Sequence, residues 1–98
     1  MPLTDKDIKE ILSKLMRYEG VEGVVLSDEM GFPLGATIGS EQAEAISALI
    51  TSLLGKVQSI IEELKLSKLK VLTIKTEGHE ILVTPEEGAN LVVIRRTS

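Results

Sequence analysis

Hydrophobic and polar positions divide the chain into two helical and five extended segments. In residues 4–20 and 40–64, apolar side chains recur every three or four positions, which indicates amphipathic helices. Elsewhere apolar residues alternate with polar ones or follow one another directly, which is typical of strands. The predicted strands cover residues 21–27, 32–38, 69–76, 79–84 and 91–94. The predicted order is therefore helix, two strands, long helix, three strands.

The first helix has a clear start and two distinct faces. Thr4 is a good N-cap, Asp7 stands in capping-box position, and Gly20 is expected to end the helix. The apolar face consists of Ile8, Ile11, Leu12, Leu15 and Met16. The cations of the other face (Lys6, Lys9, Lys14 and Arg17) most simply form its solvated side, because nearby acidic residues dilute a membrane-binding charge.

The first two strands are joined by a turn with recognisable chemistry. Asp28 can accept hydrogen bonds from backbone amides further along, and Gly31 can adopt a positive φ. Pro33 cannot donate to a strand ladder, so the second strand is expected at a sheet edge. Residues 81–83 and 91–94 are apolar on consecutive positions, so both faces of the sheet need cover. The sequence predicts an α/β sandwich with one helix on each face.

The long helix carries two separate stripes. Its apolar stripe is expected to cover the sheet and consists of Ala43, Ile46, Ile50, Leu53, Val57, Ile60 and Leu64, widened by Leu49, Leu54 and Ile61. Ser40 is the expected N-cap. A second stripe contains small residues only: Ala45, Ala48, Ser52, Gly55 and Ser59. A seam of small side chains lets another helix approach closely, and we interpret that helix as its copy in a homodimer.

Composition narrows the class of protein. The 98 residues fit a single domain (residues 1–98), and the charged fraction of 27% is ordinary for a soluble protein. A net charge of −4 and only two aromatic residues argue against nucleic-acid binding. The polar start lacks a signal-peptide core and no run of apolar residues is long enough to insert into a membrane, so a cytoplasmic location is expected.

Candidate catalytic chemistry is sparse. The chain has no cysteine, and its single histidine, His79, is expected to be an exposed turn residue. The carboxylate pairs Glu62–Glu63 and Glu86–Glu87 are best explained as solvated charge. Neither a phosphate-binding glycine loop nor a nucleophile elbow is present. The sequence predicts a non-enzyme without cofactor or metal.

One stretch resembles a known family. The element order and the segment from Val21 to Leu34, with its G-hydrophobic-hydrophobic-hydrophobic and D-x-x-G-x-P-L patterns, are similar to the Roadblock/LC7 family, which includes the prokaryotic MglB proteins. The resemblance implies a five-stranded antiparallel sheet in the order α-β-β-α-β-β-β. It also implies dimerisation through the long helix and the following edge strand, which here contains Leu69, Val71 and Thr73.

The same resemblance implies a role for the dimer: binding and regulating, or scaffolding, a small Ras-like GTPase. Two alternatives stay open. The chain could be a structural adaptor or assembly subunit that does not affect GTPase turnover. A small-ligand sensor domain is less favoured, because the strands offer few polar or aromatic groups to line a pocket.

Overall fold

The computed structural model describes residues 3–98, and its elements follow the predicted order. The two helices are α1 (Asp5–Met16) and α2 (Ser40–Glu63). The five strands are β1 (Val21–Asp28), β2 (Pro33–Ala36), β3 (Leu72–Thr76), β4 (His79–Glu86) and β5 (Ala89–Arg96). They form one antiparallel sheet in the spatial order β2-β1-β5-β4-β3. The predicted five-stranded antiparallel sheet is confirmed.

Each face of the sheet holds its own apolar cluster. Val25, Val83 and Val92 pack with Ile50 of α2, so this cluster lies on the α2 face. On the other face, Leu26 and Ala89 pack with Ile8 of α1. Val25 and Leu26 are neighbours in β1, and successive strand residues point to opposite faces. The consecutive apolar residues therefore serve two layers, and the predicted helix on each face is confirmed.

The start of α1 is formed as predicted. The Thr4 hydroxyl accepts a hydrogen bond from the Asp7 amide at 3.1 Å, and the Asp7 carboxylate accepts one from the Thr4 amide at 3.0 Å. The helix ends earlier than predicted, at Met16, with Arg17 as C-cap. Gly20 instead belongs to the turn into β1, where its φ is +83°.

The β1–β2 turn confirms the roles of Asp28, Gly31 and Pro33. One carboxylate oxygen of Asp28 accepts hydrogen bonds from the amides of Met30 and Phe32, both at 2.9 Å. Gly31 has a φ of +92° and is buried against α2. Pro33 opens β2, which is an edge strand. The backbone of this turn is held in place because the Asp28 carboxylate accepts two of its amide hydrogen bonds and Gly31 supplies the positive φ that the turn requires.

Two predictions about α2 were wrong. Its N-cap is Gly39, without a side-chain hydrogen bond, and Ser40 is the first helical residue. The apolar stripe also does not lie wholly on the sheet: Leu49, Ile60 and Leu64 are 67%, 58% and 62% exposed. The sheet-facing arc is centred on Ala43, Ser47 and Ile50, which are buried. At about 100° per residue, Leu49 and Ile60 fall beyond that arc.

The last three strands differ from prediction at their ends. β3 begins at Leu72 rather than Leu69, whereas β4 and β5 extend to meet at a tight turn around Gly88, whose φ is +80°. Pro85 pairs with Asn90 within this hairpin, so the predicted loop is mostly strand. His79 is the first residue of β4 and is half-buried, which corrects its prediction as an exposed turn residue.

A glycine sets the distance between β2 and α1. A Cβ added at Gly35 would lie 2.5 Å from Ile8 Cγ2 and 3.3 Å from Leu12 Cδ1. Real Cβ atoms do not approach other carbon atoms so closely. The absence of a side chain at Gly35 therefore lets α1 lie directly on the edge strand.

Gly35→Ala is expected to destabilise the fold by about 1–3 kcal/mol, because α1 must move away from β2 to relieve the overlap. Gly55→Ala is the control, since a Cβ at Gly55 would meet no atom within 4 Å and alanine is well tolerated within a helix. Urea denaturation of both variants measures the difference. Equal stability of the two variants would show that α1 yields freely at this contact.

Candidate interaction surface

The outer edge of the sheet at β3 is open. β3 pairs with β4 on one side and is the last strand of the sheet among the described residues. Thr73 is exposed, and Val71, just before the strand, is 49% exposed. An edge strand with free backbone donors and acceptors tends to pair with another strand unless it is protected. β3 therefore offers a site for strand addition.

A flank of α2 presents apolar side chains toward the same edge. On the helix surface, Leu49 and Ile60 lie about 160–180° from Thr51. Thr51 faces the β1–β2 turn, because its hydroxyl would lie 3.3 Å from a Cβ at Gly31. Since β2 and β3 are opposite edges of the sheet, the flank carrying Leu49 and Ile60 faces the β3 side. This flank and the β3 edge therefore face the same side of the molecule.

α2 also stands out for its overall hydropathy. By length and composition it is the helix of residues 3–98 that could cross a membrane, although most of its apolar stretch is not buried within the protein. Ala43 and Ile50 place the helix in the core of the sandwich. Leu49, Ile60 and Leu64 of this helix are exposed, and exposed apolar side chains grouped together are typical of interaction sites.

The predicted small seam is exposed but does not face the β3 edge. All five residues (Ala45, Ala48, Ser52, Gly55 and Ser59) are exposed. Their mean direction lies about 150° from the buried arc of α2, so the seam points away from the sheet. A Cβ at Gly55 would meet nothing within 4 Å. The seam therefore leaves free room on the outermost surface of α2.

The eight predicted interface residues consequently fall on two surfaces. Leu69, Val71 and Thr73 lie in or just before β3, at the open edge. The seam residues lie on the outward side of α2, where Ala45 and Ser52 are nearest to the apolar flank. The structure does not bring all eight into one plane, because the edge and the seam point in different directions.

The β1–β2 turn adds exposed apolar residues that sequence reasoning did not single out. Met30 is 80% exposed and Phe32 is 64% exposed. The backbone that carries them is fixed by Asp28 and by Gly31, which lies against Ala48 and Thr51. A phenylalanine beside a polar turn is the signal that could have drawn attention to this site. The turn borders the small seam near Ala48.

An ionic cluster joins three strands at the other end of the sheet. Nε2 of His79 lies 2.8 Å from Oε1 of Glu22, and Nε of Arg96 donates to Oε2 of Glu22 at 2.6 Å. His79, and then Arg96, hold the pKa of Glu22 below its usual value near 4.5. Arg95 pairs with Glu80 at 2.8 Å. These partners are too far apart in sequence for a linear pattern to reveal them.

The described residues offer little for catalysis. Within residues 3–98, no group of three or more histidine, cysteine, aspartate or glutamate residues is placed to hold a metal ion. The Ser27 and Ser47 hydroxyls are fully buried where α2 packs on β1, without a hydrogen-bond partner. Small residues at this contact allow the helix to approach the sheet closely. They are packing residues, and neither is accessible to a substrate.

Comparison with known proteins agrees with this architecture. The sequence of residues 7–95, which is nearly the whole chain, matches the protein-family model of the Roadblock/LC7 domain. The chain belongs to the Roadblock/LC7 family. Proteins of this family are soluble globular domains, known as non-catalytic adaptors or regulators.

Solved structures share the fold at low sequence identity. The Roadblock/LC7 domain from Streptomyces avermitilis is 16% identical with a TM-score of 0.82, over 89% of this chain and 76% of that chain. The gliding protein MglB from Thermus thermophilus is 19% identical with a TM-score of 0.78, over 90% and 70%. Myxococcus xanthus MglB is 12% identical with a TM-score of 0.80, over 99% and 77%.

The lowered pKa of Glu22 makes part of the stability depend on pH. A carboxylate whose pKa is depressed by folding stabilises the native state above its unfolded pKa, and this contribution disappears as pH falls through the folded value. Glu22→Gln should therefore be less stable than the unmodified protein at neutral pH, and the difference should shrink below about pH 4.5. Urea denaturation over a pH series measures it.

Glu77→Gln is the control for this experiment. Glu77 lies in the neighbouring β3–β4 turn, is exposed, and takes part in no ion pair within residues 3–98. Its substitution should leave the pH profile of stability nearly unchanged. A Glu22→Gln profile parallel to that of the unmodified protein would show that the cluster does not stabilise the fold.

Proposed function

We propose that this chain, as a single domain, forms a non-catalytic homodimer in the cytoplasm that binds a small Ras-like GTPase and regulates or scaffolds it. The observation that carries the proposal is that the open β3 edge and the exposed apolar flank of α2 face the same side of the molecule. Family membership and the likeness to MglB structures support a GTPase-associated role.

Two copies of the chain can cover this surface together. If β3 pairs with its copy across a two-fold axis, the two sheets continue as one and no open edge is left at the junction. Val71 and Thr73 then lie at the axis. The apolar flanks of the two α2 helices approach from the same side of the joined sheet. Leu49 and Ile60 would lose their water contact there, with Ala45 and Ser52 at the border.

The outward seam of α2 remains accessible in this dimer. Small side chains at Ala48, Gly55 and Ser59 expose the helix backbone to a partner that packs closely. Met30 and Phe32 stand beside the seam on a rigid turn, and exposed aromatic or methionine side chains are common anchors in interfaces. We assign this composite surface to the GTPase.

The proposed mechanism is indirect. Arg95 and Arg96 are already engaged in ion pairs, and Arg17 lies on α1, on the other side of the sheet from the seam. An arginine that reaches the nucleotide to stabilise the transition state is therefore not our proposal. The dimer would act by contacting switch loops in one conformation and thereby increasing the population of that conformation.

The dimer is expected to dissociate when charge enters the apolar flank. Leu49→Glu places a carboxylate where two flanks meet, and burying an unpaired charge is strongly unfavourable. Leu49 is 67% exposed in the monomer, so the fold itself should tolerate the change. Sedimentation at micromolar concentration should show a dimer for the unmodified protein and a monomer for Leu49→Glu.

Gly55→Leu is the matched variant on the seam. Leucine meets open space in the monomer and has a better helix propensity than glycine, so the fold should be preserved. We expect Gly55→Leu to stay dimeric. A monomeric Gly55→Leu would contradict the assignment and show that the seam itself is the helix–helix contact, as the sequence alone suggested.

The proposed interaction with a GTPase is tested by using a Ras-like GTPase encoded near this chain. Adding the dimer should change the rate of nucleotide hydrolysis or release, and Gly55→Leu should weaken the interaction about tenfold or more by overpacking the contact. Gln58→Leu places the same leucine side chain at an exposed position off the seam and should retain the effect.

One outcome would narrow this proposal and another would contradict it. Binding of the GTPase without any change in nucleotide turnover would leave scaffolding as the role of the dimer. Absence of binding would remove the GTPase as partner, and partners recovered by pull-down would then define an assembly subunit.

A further inference from the structure

Positive charge is missing from a long part of the chain. Residues 18–55 contain no lysine, arginine or histidine. The acidic residues of the same stretch are Glu19, Glu22, Asp28, Glu29, Glu41 and Glu44. This stretch folds into β1, β2, the turn between them and α2 as far as Gly55. The β2 side of the sheet and the part of α2 above it are therefore built from sequence without cations.

Three exposed apolar side chains lie on this side of the molecule. Met30, Phe32 and Leu34 are 80%, 64% and 41% exposed, and we call them the turn patch. The backbone beneath them is held by the Asp28 carboxylate, and the turn packs on α2 through Gly31. Side chains on a backbone that is already ordered lose less conformational freedom when they bind. The turn patch is therefore suited to anchor a partner.

Acidic residues border the turn patch. Glu29 lies in the same turn and is exposed. Glu44 lies four residues before Ala48, on which Gly31 packs, so it stands about one helical turn (~6 Å) from this contact. Glu41 follows one turn further along, on the same side of α2. Among the described residues, none of these three glutamates takes part in an ion pair.

The cations of the two helices are distant from this border. Lys56 is the one cation of α2 and lies about 12 Å beyond Ala48 along the helix axis. The cations of α1 lie on the opposite face of the sheet, roughly 20 Å from α2 when layers are about 10 Å apart. At physiological ionic strength the Debye length is about 8 Å, so both groups contribute little here. The turn patch is apolar at its centre and negative at its border.

The neighbouring β4–β5 turn has the same sign. Glu29 reaches toward it, because a Cβ at Gly88 would lie 3.8 Å from the Glu29 Oε1 atom. This second turn carries Glu86 and Glu87, and Lys14 of α1 lines the same groove. One cation does not neutralise two carboxylates, so the negative border continues along this end of the sheet.

We propose that the turn patch docks on a positively charged protein surface, in which lysine or arginine side chains surround an apolar pocket. The inference rests on the proposed function and specifies the chemistry of the GTPase surface that α2 and the turn contact. Phe32 enters the pocket, and cations of the partner face Glu29 and Glu44. Border charges mainly speed and orient encounter, whereas an aromatic anchor mainly slows dissociation. Nucleic acids and anionic membranes carry the wrong sign for this surface.

Association kinetics with the Ras-like GTPase encoded near this chain test the border charges. The association rate of the unmodified protein should fall steeply as salt rises. Glu44→Lys should lower that rate about tenfold at low salt and have little effect at high salt. Glu10→Lys is the matched control, because it makes the same charge change at an exposed helical position on α1. It should leave the association rate nearly unchanged.

Dissociation kinetics test the anchor. Phe32→Ala should increase the dissociation rate about 30-fold, and its exposed position leaves the fold intact. Tyr18→Ala is the matched control, since Tyr18 is an aromatic residue of similar exposure (59%) that follows α1. It should dissociate at the rate of the unmodified protein. Equal effects of Phe32→Ala and Tyr18→Ala would overturn the proposal.

The turn patch and the GTPase can fail separately. Binding of the GTPase that does not respond to salt, Glu44→Lys or Phe32→Ala overturns the patch and leaves the proposed function standing. Absence of GTPase binding overturns the proposed function, and two helical peptides then test the patch. They share the same leucine residues, but one carries lysine and the other glutamate. The lysine peptide alone should shift the NMR amide signals of Met30 and Phe32. Shifts with both peptides, or with neither, overturn the patch.

Discussion

The width of the sheet relative to its two helices is the constraint on which the rest of the structure depends. Five strands spaced about 4.8 Å apart span roughly 19 Å between their outer members, whereas a helix with its side chains is about 10 Å wide. α1 packs on β1 and β2, and α2 has its nearest contacts with the same two strands. The β3 side is therefore less well covered in the single chain. Its open edge and the apolar flank of α2 are two results of the same mismatch.

Close packing on the covered side depends on small residues. Gly35 allows α1 to lie on β2, and Ser27 and Ser47 allow α2 to lie on β1. Both serine side chains are fully buried, and larger side chains at these positions would overpack the contact and separate helix from sheet. The fold is thus tight at one edge and open at the other. An interaction surface at the open edge does not require the core to rearrange.

The features that sequence predicted correctly are local ones. The capping box of α1 and the Asp28–Gly31 turn each depend on residues within four positions of one another. The features that it missed depend on neighbours distant in the chain. The exposure of Leu49 follows from how far the sheet extends beneath α2, and Glu22 meets Arg96 only because β1 and β5 pair. Helical periodicity shows which residues share a side of α2, but does not show where the sheet stops.

The direct contact of Gly31 with α2 has a mechanical consequence. Gly31, at the tip of the β1–β2 turn, packs directly on Ala48 and Thr51 in the middle of the long helix, and it has no side chain that could adjust to a movement of α2. A tilt or slide of α2 would therefore displace the tip of the turn as well as the strands beneath the helix. Force applied to the outward side of α2 is thus expected to reach the β2 edge by two routes, through direct packing and through the turn.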